Sequence, residues 1–261
     1  MMLRMITRLV RGGLAAALAV TTLTVATAAV ATAAPTAVAT AASGPNVTVT
    51  QAGNYPIFPV DNTSFSVTWK STGTADVTGV TRLTVDLPPG LTTTGALMYS
   101  TPYDYTFTQT VSPDGRRLEA VFTGTRAPGR SDFMKVQVSS HGTRPSGVIT
   151  VTAANKDDAD PSDNVSRHLL GSGLQAPVTP AAPAVTALAP STGPAAGGTA
   201  VTITGTGLTN GFALFGSTPA TGSCTDTACV VTAPAGSGTV PVTLVTPGGS
   251  AATPTAFSYT P

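Results

Sequence analysis

The runs Val201-Thr202-Ile203-Thr204 and Thr239-Val240-Pro241-Val242-Thr243-Leu244 alternate apolar with other residues one for one, and this period of two most constrains the fold. Successive strand side chains point to opposite faces, so each run buries one face and leaves the other wet. Gly197-Gly198, Gly205 and Gly207 punctuate these strands where turns call for positive φ, a geometric duty that requires no ligand. Pro241 has no N–H to give to a ladder, so its strand is expected to be an edge there or to turn that position away from a partner.

The same rhythm, without a helical period, fills the region from Asn46 to about Leu170. Strands are predicted over Asn46 to Gln51, Phe65 to Lys70, Val80 to Leu87, Tyr105 to Val111, Leu118 to Phe122, Met134 to Ser139 and Val148 to Ala153. Short strands at such regular intervals argue a sandwich. Ser112-Pro113-Asp114-Gly115 supplies a hairpin turn, since Pro presets φ and Asp-Gly tolerates positive φ. Phe65, Val67 and Trp69 share one strand face, which places the lone tryptophan in the core rather than on a sugar-binding surface.

Two resemblances follow from these residues. Pro190-Ser191-Thr192-Gly193-Pro194-Ala195-Ala196-Gly197-Gly198-Thr199, then Val201 to Leu208, closing on Phe257-Ser258-Tyr259, resembles an IPT/TIG module, a small immunoglobulin-like β-sandwich. That resemblance implies binding or spacing rather than catalysis. Val85-Asp86-Leu87-Pro88-Pro89-Gly90-Leu91, together with Val151 to Asn155 and Asp160-Pro161-Ser162-Asp163-Asn164, resembles the CARDB-like and conserved-repeat immunoglobulin-like domains of bacterial surface proteins. Those families end a strand, cross an Asp-Pro-x-x-Asn-like turn and enter the last strand. The expected fold class is therefore all-β, two immunoglobulin-like sandwiches in tandem after a signal peptide.

The expected organisation is a signal peptide at 1–33, a low-complexity Ala/Thr segment at 34–45, a first sandwich at 46–170, a linker at 171–183 and the IPT/TIG-like sandwich at 184–261. Arg4, Arg8 and Arg11 precede the apolar stretch Leu14 to Val30 and the small-residue site Ala31-Thr32-Ala33, with Ala39-Thr40-Ala41 as a second cleavage site. The threonines and alanines make that stretch too weakly apolar for a membrane span, so export without membrane insertion is expected. Pro177, Pro180 and Pro183 favour an extended spacer, and the two sandwiches are expected not to share a core.

Charge narrows the function. Losing Arg4, Arg8 and Arg11 from 13 Lys and Arg leaves ten basic residues against 12 acidic ones, and Asp226 is the only charged residue between Ala184 and Pro261. A phosphate-binding surface needs clustered cations, so nucleic acid is not an expected partner. Cys224 and Cys229, the only cysteines, flank a short polar loop and are expected to form a disulfide across a hairpin in an oxidising compartment.

Candidate sites are few. Asp157, Asp158, Asp160 and Asp163 concentrate hard oxygen ligands fit for a weak Ca²⁺ site, though the spacing of a full calcium loop is absent and turn chemistry favours a solvated Asp/Asn turn. No other cofactor is expected. Tyr55, Tyr99, Tyr103 and Tyr105, beside Pro56, Pro59 and Pro102, are the most ligand-like residues because tyrosine offers rigid amphipathic contact area. Gly-x-Ser-x-Gly is absent and Glu119 is the only glutamate, so no catalytic constellation is visible and no enzyme is expected. The expected partner is a protein or a glycan at the cell surface: an adhesion or envelope-interaction module first, a carbohydrate-binding accessory protein as the alternative.

Overall fold

The computed structural model describes residues 42–53, 63–99 and 105–261. The expected signal peptide, most of the Ala/Thr segment, Tyr55 and Tyr103 lie outside them. Two β-sandwiches stand in tandem, as the alternation requires.

The first is built from β1 (Val47–Gly53), β2 (Thr63–Ser71), β3 (Val80–Asp86), β4 (Thr92–Tyr99), β5 (Tyr105–Val111), β6 (Arg117–Gly124), β7 (Ser131–Ser139), β8 (Val148–Asn155), β9 (Val165–Leu169) and β10 (Gly173–Leu174). One sheet runs β1-β2-β7-β4 and the other β10-β9-β8-β3-β6-β5. The inward residues of both sheets make one core: Phe65, Val67 and Trp69 of β2 are buried against Leu83, Val85, Leu118, Phe122, Met134 and Val136. Trp69 lies 4.9 Å from the Phe122 ring, centroid to centroid. The Arg126 guanidinium lies over the Trp69 ring at 3.7 Å and forms a buried ion pair with Asp132. The expected hairpin turn is present, with Gly115 at φ 69° and its N–H donating to the Ser112 carbonyl over 2.8 Å.

The second sandwich contains β11 (Ala184–Ala189), β12 (Thr192–Pro194), β13 (Ala200–Thr206), β14 (Phe212–Phe215), β15 (Thr218–Pro219), β16 (Thr221–Cys224), β17 (Ala228–Thr232), β18 (Thr239–Val240), β19 (Val242–Thr246), β20 (Gly249–Ala252) and β21 (Phe257–Thr260). Its sheets run β11-β13-β17-β16, β12-β21-β18 and β15-β14-β19-β20. Val201, Ile203, Val242 and Leu244 are buried together with Phe215 and Phe257, the faces that the alternation assigns to the core. Pro241 falls between β18, which pairs with β21, and β19, which pairs with β14. The chain changes sheets at the one residue unable to donate, which resolves the proline's position in the run.

The structure corrects the expectation that the sandwiches share no core. The described residues belong to one compact unit. Val80 and Ala154 of the first sandwich are buried in one apolar cluster with Phe212, Leu214 and Val245 of the second. Arg82 lies 4.7 Å above the Phe212 ring and donates to the Gly211 carbonyl over 3.4 Å. The fully buried Asn164 donates from Nδ2 to the Pro247 carbonyl over 2.9 Å, and Ser250 donates to the Lys156 carbonyl over 3.1 Å. The proline-spaced segment is also less of a free spacer than its composition suggests. Gly173–Leu174 pairs with β9, and a Cβ added at Gly248 would collide with the Ala181 carbonyl.

Candidate functional site

Strand β4 was not expected from the sequence, and its irregularity creates the main exposed apolar surface. Its pairing with β7 slips between Thr93 and Gly95. Because strand side chains alternate, a one-residue bulge sends every later side chain to the other face. Ala96 and Met98 therefore pack on the core, while Leu97 and Tyr99 face out. The buried Thr93 hydroxyl stabilises the bulge, donating to the Gln137 carbonyl over 2.6 Å and accepting from the Gly95 N–H over 3.1 Å.

On β7 the buried positions are Asp132, Met134, Val136 and Val138, so Phe133 and Lys135 share the outer face. Tyr99 pairs with Phe133 across the strands, and their rings lie parallel within 2° at 5.4 Å. Lys135 Nζ approaches the Tyr99 ring to 5.1 Å. Leu97, Tyr99 and Phe133 are 53%, 43% and 38% exposed. Three large apolar side chains adjoining on one sheet face form a patch, unlike the singly scattered residues normal on protein surfaces.

The free edge of β4 is occupied separately. Gln109 of β5 reaches across, accepting from the Ala96 N–H over 2.8 Å and donating to the Ala96 carbonyl over 3.1 Å. At Ala96 the peptide groups of this edge are therefore not free to pair with an added strand.

Of the tyrosines singled out from the sequence, Tyr99 is thus on this patch, and Tyr105 contributes its backbone to β5 opposite Gly124. Phe133 and Leu97 were missed. Phe133 carried a signal, being out of phase with Met134, Val136 and Val138, whereas Leu97 depended on a bulge that periodicity does not reveal.

The acidic turn is less solvated than its composition implies. Asp158 and Asp163 are partly buried, and burial raises both carboxyl groups above the ordinary range, Asp163 to about 6. Asp158 Oδ1 accepts from the Val47 N–H over 3.3 Å, and its other oxygen accepts from Asn164. Asn46 donates to Asp163 Oδ2 over 3.1 Å and to Thr72 over 2.7 Å. Asp160 caps the 3₁₀ turn Pro161–Asp163, and Asp157 pairs with Lys156. These side chains tie the β8–β9 turn to the start of β1. Among the described residues no three His, Cys, Asp or Glu side chains are grouped to hold one metal ion.

Cys224 and Cys229 are disulfide-bonded, directly opposite each other on β16 and β17 with Cα atoms 4.0 Å apart. Glu119 is engaged with Arg82 at 3.5 Å across β3 and β6. No helix among the described residues is long and apolar enough to cross a membrane.

No curated protein matches this chain. Among solved structures it is similar to the plexin A4 extracellular region, at 18% identity and TM-score 0.29 over 82% of this chain and 18% of that one for domains 1 to 8. For domains 1 to 10 the figures are 17%, 0.29, 82% and 16%. The BSP domain of a biofilm associated protein is 10% identical with TM-score 0.27, over 84% of this chain and 52% of that one. The chain thus spans less than a fifth of the plexin structures. Residues 183–259, the C-terminal sandwich, match the family model of the IPT/TIG domain.

Proposed function

We propose that this protein is a secreted, non-enzymatic binding protein acting at or outside a bacterial cell surface, in adhesion or envelope interaction, through the outer face of β4 and β7. One observation carries the reading: Leu97, Tyr99 and Phe133 expose adjoining apolar surface beside Lys135. Aromatic anchors of this kind dominate protein interfaces. The disulfide suits an oxidising compartment, and the IPT/TIG match suits a module that binds. The arginine-flanked apolar start supports export. Protein recovered from the medium should begin after Ala33 or in the segment up to Ser43, whereas an intact Met1 on membrane-bound protein overturns secretion.

The parallel ring pair favours glycan binding as the second reading, because flat aromatic surface is what a sugar ring packs on. Both readings are tested on one pair of proteins, wild type and Tyr99→Ala/Phe133→Ala, against immobilised envelope protein, envelope polysaccharide and a glycan array. Saturable binding by wild type, weakened more than about 30-fold in the variant as expected for hot-spot aromatics, supports the site. Signal on the polysaccharide or array alone selects the glycan reading. Binding that survives the double substitution, at unchanged thermal stability, removes this face as the site.

A further inference from the structure

The sheet β1-β2-β7-β4 turns one face to the core, and the charge on its other face is of a single sign. Within these four strands the only carboxylate is that of Asp132, which points inward and is buried with Arg126. The outward charges are Lys70 and Lys135, and neither forms an ion pair with a described residue. We infer that this face binds an anionic polysaccharide, which rests on the binding role proposed above for β4 and β7 and adds the chemistry of the partner.

The register sets the outward side chains in rows. Tyr99, Phe133, Thr68 and Thr50 lie opposite one another across β4, β7, β2 and β1. Leu97, Lys135 and Ser66 form the row on one side, and Ser131 and Lys70 belong to the row on the other. Each lysine is therefore a diagonal neighbour of one aromatic ring, Lys135 of Tyr99 and Lys70 of Phe133, at the separation of about 7–8 Å over which long side chains still meet. Lys135 makes that contact, with Nζ 5.1 Å from the centre of the Tyr99 ring. Four residues of strand separate the two rows that hold the lysines, so the cations flank the aromatic pair about 14 Å apart along the strand direction.

The opposite sheet shows what is missing here. There Arg117 pairs with Asp86 at 2.7 Å and Arg82 with Glu119 at 3.5 Å, so its cations already have acidic partners. Lys70 and Lys135 have none on their own sheet, and a partner with negative charge at intervals along its length complements both at once. Hydroxyl groups favour a sugar polymer as that partner. Thr50, Thr68, Ser66 and Ser131 stand in the same three rows, and a hydroxyl both donates and accepts, as those of a sugar do. An acidic peptide added as a strand needs free peptide groups on β4, and Gln109 holds those of Ala96. A nucleic acid needs clustered cations rather than two held apart.

The test measures binding of the protein to polygalacturonate and to dextran sulfate, each beside an uncharged polymer of the same backbone, methyl-esterified polygalacturonate and dextran. Saturable binding to a charged polymer is expected, at least about tenfold tighter than to its uncharged counterpart, as two exposed charge contacts allow. Raising the ionic strength from about 0.1 M to about 1 M should weaken it, because the screening length falls from about 10 Å to about 3 Å. Lys70→Ala/Lys135→Ala should lose about tenfold in affinity at unchanged thermal stability, and Lys70→Arg/Lys135→Arg should keep it. Tighter binding of polygalacturonate than of dextran sulfate assigns the face to a carboxylated sugar, and the reverse order to a sulfate ester. Equal binding of the uncharged polymers, retention of binding by the alanine variant, tighter binding of polyglutamate than of either polysaccharide, or no saturable binding to either charged polymer overturns the inference. Envelope binding that falls in Tyr99→Ala/Phe133→Ala but not in the lysine variant leaves the face in place and overturns only its anionic partner. Envelope binding untouched by the aromatic variant overturns both.

Discussion

Asp163 carries the clearest pH dependence at the scale of single residues. Burial, with Asp158 and Asp160 adding repulsion, raises its carboxyl to about 6, against which the Asn46 amide works by donating to the charged form. An unfolded Asp titrates near about 3.9. Between these values the folded chain holds a proton that the unfolded chain releases, so this group's contribution is fully present below about pH 4 and is lost as pH rises through about 6. Asp163→Asn should therefore flatten the thermal stability profile between pH 4 and 7, with Asp158, raised in the same direction, leaving a residual slope. A variant whose profile parallels wild type across that window contradicts the assignment. Asp132 behaves differently, since it is buried opposite Arg126, whose guanidinium also stacks on Trp69. Removing one partner strands the other charge in the core, so Asp132→Ala should cost about 3–5 kcal/mol in chemical denaturation. A loss under about 1 kcal/mol would place the pair in the range of solvent-exposed ion pairs.

At the scale of elements, the informative features are where strands break their own pattern. The bulge in β4 sets the outward aim of Leu97 and Tyr99, and Pro241 sets the point where β18 gives way to β19. The β16–β17 hairpin is instead locked by its cross-strand disulfide. Its loop is short, so reduction should cost about 2 kcal/mol by chain entropy and lower the melting temperature without unfolding the protein. Intact mass should rise by the mass of two hydrogen atoms on reduction, as one S–S bond takes up two electrons and two protons to become two thiols. Complete unfolding on reduction would show that the hairpin carries far more of the sandwich than its position suggests.

Across the whole molecule, the shared cluster around Phe212 changes what unfolding should look like. Calorimetry should show the two sandwiches melting together, because Phe212, Leu214 and Val245 are buried in one cluster with Val80 and Ala154 of the first sandwich. Phe212→Ala removes that contact and the stacking partner of Arg82, a change worth about 3–5 kcal/mol for a buried phenylalanine. It should split the melt into two transitions and expose the segment 171–183 to protease. Two transitions already present in wild type would mean that the shared cluster does not couple the sandwiches.

The all-β class, the inward face of Phe65, Val67 and Trp69, the hairpin at Gly115 and the cysteine pairing were legible in the sequence because each depends on neighbours a few positions away. Local periodicity and turn chemistry suffice for those. The joining of the sandwiches left only a partial trace, in Phe212-Ala213-Leu214-Phe215, which is apolar on both faces as a strand covered on both sides must be. Which surface covers its second face depends on Val80, Arg82 and Ala154, distant in sequence and unmarked by any period. The same holds for the outer patch, where a bulge inverted the faces of β4. Only the tertiary structure decided these, because burial between elements is a long-range property that no local pattern encodes.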